Sequence, residues 1–203
     1  TPRGEGLQPV ITLLRANRDL RWLFIAQVIS FMGDWFSFVA VTGIVKDATG
    51  SEFLVSLAYV SFSLPSFLAS PIAGVTVDRF DRRRLLLIVS LLQAVAALGL
   101  LTSSGSTVWP LFVFQGVISA FAAFVKPAID AGVPNLARDS TELRTANALF
   151  GSTWGVMLAV GAAVGGVFSE AFGRRTAFVA NAVSFVIAML LIGIGIVVAA
   201  SPL

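Results

Sequence analysis

Residues 74–84 read Gly-Val-Thr-Val-Asp-Arg-Phe-Asp-Arg-Arg-Arg, and residues 166–175 read Gly-Val-Phe-Ser-Glu-Ala-Phe-Gly-Arg-Arg. Gly74, Asp78, Phe80 and Arg82-Arg83 return as Gly166, Glu170, Phe172 and Arg174-Arg175, an offset of 92 residues. Each string interrupts a long apolar tract. Six such tracts are present, roughly Trp22 to Val45, Phe53 to Val77, Leu85 to Thr102, Val108 to Val125, Ala146 to Phe168 and Phe178 to Ala200. Each approaches or exceeds the ~20 apolar residues that cross a hydrocarbon core. Only the first holds a formal charge, Asp34. The breaks are Lys46 to Gly50, Asp78 to Arg84, Ser103 to Ser106, Lys126 to Arg144 and Glu170 to Arg175.

Composition agrees. The chain is 57% hydrophobic and only 12% charged, with a mean hydropathy of +0.90. A soluble domain of ordinary composition carries about twice that share of charge. With lipid around it, a backbone must satisfy its own polar groups, so the tracts are helices. They are too long and too uniform for the alternating strands of a membrane barrel. The expected fold is an all-α membrane protein of six transmembrane helices. A lead-in at residues 1–16 precedes a bundle at residues 17–203. Leu7, Val10, Leu13 and Leu14 give that lead-in an apolar stripe for the cytoplasmic surface. Asn17 or Asp19 can cap the first span.

Six crossings return the chain to its starting side. That side collects Arg3, Arg15, Arg18, Arg21, Arg79, Arg82, Arg83, Arg84, Lys126, Arg138 and Arg144; the opposite side has Lys46, Arg174 and Arg175. The excess predicts cytoplasmic termini. Trp22 and Trp109 mark span starts, where an aromatic belt lies. Twelve of the fourteen cations are Arg, and Ala, Gly and Val abound, which suggests a GC-rich bacterial source; the expected location is a bacterial inner membrane. The two related strings then fall on opposite faces. This predicts inverted three-helix repeats, about 17–105 and 106–203, an arrangement typical of secondary transporters.

The offset pairs Asp34 with Lys126. Inversion places Asp34 toward the outer half and Lys126 toward the cytoplasmic half, which argues against a direct ion pair. A charge at membrane depth faces a cavity and marks function. Gln27, Phe31, Asp34 and Phe38 share one helix face, a mixture suited to an amphiphilic ligand. Asp34 is the expected site of proton or cationic-substrate coupling, and Gln27 and Lys126 are the other expected coupling residues. The alternative for Asp34 is a structural acid bonded to Ser30 or a neighbouring helix. Lys126 either attracts anionic substrate or pairs with Asp130 at i,i+4. Pro127 should bend or end its helix, and Pro65 and Pro71 should bend theirs. Gly151, Gly155, Gly161, Gly165 and Gly166 suit close helix packing. Asn181, Gln93 and Gln115 read as interhelical hydrogen bonds rather than ligands.

No cysteine and no histidine is present. This excludes thiolate metal sites and removes the usual general base. With no phosphate loop and no paired carboxylates in a polar setting, no enzyme, cofactor, metal or nucleic-acid function is expected. The expected partners are the bilayer, a small-molecule substrate and a second six-helix half.

The loop from Gly74 through Asp78, Arg79, Arg82 and Arg83 resembles the signature between helices two and three of the major facilitator superfamily. It departs from the family pattern at Asp81, where that family prefers Gly. The stretches Lys126-Pro127-Ala128, Pro134-Asn135-Leu136, Leu143 to Ala148 and Asn181 to Phe185 resemble its bacterial efflux branch, which includes enterobactin-type exporters. Gly161-Ala162-Ala163-Val164-Gly165-Gly166 resembles the antiporter motif, with Ala162 in place of proline. The resemblance implies a twelve-helix carrier of which this is the N-terminal half, exporting small amphiphilic molecules or drugs by alternating access with a proton as driver. It also implies a gate latch at Asp78 to Arg84, beside the plain topological role of that positive charge. The missing half is expected later in a longer chain, in a second copy, or in another subunit. The other reading is a half-size, non-transporting subunit that scaffolds a larger membrane complex.

Overall fold

A computed structural model describes residues 8–104 and 107–195. Arg3, Leu7, Gly105-Ser106 of the third break and the end of the sixth tract, 196–200, lie outside them. A short helix α1 (Gln8–Ala16) leads into six long ones: α2 (Arg18–Thr49), α3 (Glu52–Arg79), α4 (Arg82–Gly99), α5 (Trp109–Leu136), α6 (Ser140–Phe172) and α7 (Arg174–Gly195). A single 3₁₀ turn, Leu100–Thr102, follows α4. All six long helices have the length and apolarity to cross a membrane.

The helices outrun the apolar tracts because charged ends extend beyond the hydrocarbon. The 28 residues of α3 span about 42 Å, against a core of about 30 Å. Capping chemistry sets the ends. Asn17, Ser51, Asp81 and Asp139 accept from the first-turn amides of α2, α3, α4 and α6. Gly50 (φ 63°) and Gly173 (φ 86°) adopt the positive φ that stops α2 and α6.

The fourth break is much shorter than expected. α5 runs through Lys126, Pro127 and Pro134, leaving only residues 137–139 between helices. Pro127 does not end the helix. A continuous helix satisfies more backbone than a loop at that depth, and a Lys126–Asp130 pair holds the two charges along its flank. The lead-in does more than lie on a surface: Leu13 is buried and joins Leu20, Leu23, Ile129, Val133 and Phe150 in one core cluster. Asn17 fixes this corner. Its Nδ2 donates to the Leu136 carbonyl (2.8 Å) and to Glu142 (3.0 Å), and its Oδ1 accepts from the Leu20 amide.

The pairing of helices is that of two inverted triplets. The main contacts join α2 with α7 and α6, α3 with α5, and α4 with α5 and α7. Exchanging α2 for α5, α3 for α6 and α4 for α7 turns α2–α7 into α5–α4 and α3–α5 into α6–α2. It returns α4–α7 to itself. One pair of bonds obeys the exchange residue by residue. Arg83 donates to the carbonyl of Gly193 at the end of α7. Arg175, 92 residues after Arg83, donates to the carbonyl of Leu101, 92 residues before Gly193, in the 3₁₀ turn that follows α4 (2.5 Å). The outward surface is apolar, with Phe67 74% and Val167 69% exposed, as a lipid-facing surface requires.

Candidate functional site

Glycines bring α2 against its neighbours. A Cβ on Gly33 would collide with Ser184 of α7, and one on Gly161 of α6 would lie 2.5 Å from Trp35 Cδ1. Gly165 sits against the Trp35 backbone, whereas Gly166, Gly151 and Gly155 have open space before them. Of the three glycines read as a packing motif, Gly161 and Gly165 therefore meet a neighbour and Gly166 does not. Behind Trp35, Phe38 is buried, with ring centroids 4.8 Å from Tyr59 and 4.6 Å from Phe62. Phe38 supports the wall from behind rather than forming it.

α5 is fitted to α3 at the first α3 proline. Gly116 faces the Pro65 ring. Ser119 Oγ donates to the Phe62 carbonyl (2.6 Å) and accepts from the Ser66 amide (3.2 Å). Ser119 thus enters the hydrogen-bond ladder of α3 beside Pro65.

Between α2, α3, α5 and α6 lies a cavity of about 450 Å³. α2 contributes Gln27, Phe31, Asp34 and Trp35, and α5 contributes Gln115, Ser119, Lys126 and Asp130. Phe62, Ser66, Phe150 and Trp154 complete much of its aromatic and polar wall. The cavity therefore brings Gln27, Asp34 and Lys126 together. Lys126 is bonded to Asp130 (2.5 Å), and Asp34 makes no ion pair among the described residues. Asp34 Oδ1 is buried without a hydrogen-bond partner, although the Asn181 side chain approaches the carboxyl from α7.

Two other polar side chains of the bundle are paired. Asn181 donates to Ser37 (2.8 Å), and Gln93 donates to the Ile118 carbonyl (3.3 Å). Gln115 does not join them: both of its side-chain polar atoms lack a partner, which corrects its reading as an interhelical bond. Gln115, Trp35 and Trp154 were not assigned to the site from sequence. Only Gln115, a polar residue in an apolar tract, offered a signal.

The loop residues Gly74, Asp78, Arg79, Arg82 and Arg83 lie at the junction of α3 and α4, outside the cavity wall. Asp78 and Arg79 are exposed, and Gly74 has open space before it. Arg82 and Arg83 each hold a buried Nε without a partner.

A sequence profile of the Major Facilitator Superfamily matches residues 23–202. The chain belongs to that superfamily. Among curated members of the superfamily, an uncharacterized MFS-type transporter of Bacillus subtilis, YfiS, is 28% identical over 85% of this chain and 41% of its own length. A putative bacilysin exporter of B. subtilis, BacE, is 28% identical over 82% of this chain and 41% of its own length. The multidrug efflux pump Tap of Mycobacterium tuberculosis is 28% identical over 87% and 44%. The chain thus spans less than half the length of these relatives. No solved structure gives a significant match.

Proposed function

We propose that this chain forms the N-terminal six-helix half of a proton-coupled exporter of small amphiphilic molecules or drugs. It works by alternating access in a bacterial inner membrane, with both termini in the cytoplasm. The cavity opens onto a second six-helix half, supplied by the same polypeptide or by another subunit. The observation that carries this reading is the placement of Asp34. Its carboxyl has an unpartnered oxygen in an aromatic-walled cavity. The other charged groups lining that cavity, among the described residues, are Lys126 and Asp130, and they bond each other. One carboxyl can then hold either a proton or a cationic substrate, but not both. A proton arriving from outside displaces the substrate, and proton release toward the cytoplasm readies the site again. The efflux names of BacE and Tap support an exporting direction. A half-size scaffold, the other reading of the sequence, leaves such a cavity without a use.

The test is ethidium flux in proteoliposomes containing the full-length gene product under an imposed pH gradient. Asp34→Asn is expected to lower gradient-driven flux by about tenfold or more, the scale of a typical coupling energy. Asp34→Glu, which keeps the titrating group, retains part of it. Equal pH-driven flux in wild type and Asp34→Asn refutes the coupling role.

A further inference from the structure

Gln115 is fully buried, lines the cavity, and has neither a donor for its Oε1 nor an acceptor for its Nε2. Buried side-chain amides are ordinarily bonded, and one left open in a protein calls for a specific explanation. The neighbourhood sharpens the contrast. One turn on, Ser119 has both its donor and its acceptor function engaged by α3. Gln93, on the adjacent helix, bonds the α5 backbone. Across the cavity, Gln27 is nearly buried, and its Oε1 is also unpartnered. Of the eight buried side-chain atoms without a partner among the described residues, the four on Gln27, Asp34 and Gln115 belong to the cavity lining, and the other four are on Trp22, Arg82, Arg83 and Ser169, outside it.

An amide side chain offers a donor and an acceptor side by side. Its complement is another amide whose N–H and C=O lie on one edge: a primary carboxamide, a lactam or a cyclic dipeptide. An ordinary trans amide directs these groups to opposite sides and meets only one of them. The aromatic wall suits a ring attached to such an edge, and Asp34 suits a cation.

We propose that Gln115 is a specificity-determining residue that reads the cis-amide edge of an aromatic substrate, with Gln27 accepting a further hydrogen bond. The proposal rests on the carrier reading of the cavity. It adds a class of substrate to that reading, namely cationic aromatic amides of cis geometry.

The probe is the cyclic dipeptide of phenylalanine and lysine, compared with its ring N,N′-dimethyl derivative, which keeps shape and charge but lacks both N–H donors. Trp35 and Trp154 line the cavity, so tryptophan emission of the detergent-solubilised full-length protein reports occupancy. Wild type is expected to bind the unmethylated peptide about tenfold or more tighter, because a site built for a donor rejects an analogue lacking it. Gln115→Met is expected to bring the ratio to about one by weakening the unmethylated peptide alone. Its melting temperature should equal or exceed that of wild type, since an open buried amide is removed.

A ratio unchanged by Gln115→Met, the result if water alone satisfies the amide, overturns the proposal. A lowered melting temperature does so too, because it assigns Gln115 a structural bond. The two readings fail separately. If wild type moves ethidium with the pH gradient but binds both peptides equally, the amide role alone is lost. If ethidium does not respond to the gradient, the carrier reading is lost whatever the peptides do.

Discussion

Asp34 and Gln115 show how differently two polar residues in apolar tracts announce themselves. Asp34 was legible in the sequence because a carboxylate at membrane depth is costly and six tracts hold only one. Gln115 was not, because a glutamine in a span is equally suited to bonding a neighbouring helix, which is what Gln93 does. Only the placement of partner atoms separates the two. Lys126 lay between these cases. Its i,i+4 spacing to Asp130 was readable, and the bond is present, but its position on the cavity wall depends on a helix that the charges seemed to interrupt. Asn17 offers a residue-scale test at the corner where α1 meets α2. Asn17→Ala removes the α2 cap and strands the Leu136 carbonyl. A loss of about 1–2 kcal/mol is expected, read as a lower melting temperature of the purified protein.

Among the elements, α6 carries glycines whose spacing was visible but whose roles were not. A four-residue interval places Gly161 and Gly165 on one face, and the sequence alone does not say which helix that face meets. That face meets Trp35 of α2, and Gly166 faces open space. Gly161→Ala should therefore cost about 1–3 kcal/mol through the clash with the Trp35 ring. Gly166→Ala should change stability by less than about 0.5 kcal/mol. Parallel thermal melts distinguish the two, and equal effects would refute this assignment of faces. The existence of six spans was legible because charge is absent from long tracts. The boundary of α5 was misjudged because Lys126, Pro127 and Asp130 together resemble a loop. A chain in lipid keeps its ladder where it can, and a proline then removes one bond without ending the helix.

For the molecule as a whole, the 92-residue offset was the deepest signal in the sequence, and the paired bonds of Arg83 and Arg175 give it a structural form. It entails a topology in which the α2–α3 turn and the α5–α6 turn lie on opposite faces. The chain has no cysteine, so single substitutions report this directly. Thr49→Cys should react with an impermeant maleimide in intact cells. Ser140→Cys should react only after the membrane is opened. Labelling of both in intact cells would contradict the opposite faces, and the reversed pattern would contradict cytoplasmic termini.

The two guanidinium clasps also impose an order on assembly. The Leu101 carbonyl, in the turn that closes the first triplet, is fastened by a residue that leaves the ribosome more than seventy positions later, at the start of α7. When only the first triplet has been inserted, that end is bare, and a bare carbonyl close to lipid is unfavourable. Neither triplet is a finished unit without its twin, so the bundle locks only when its last helix arrives.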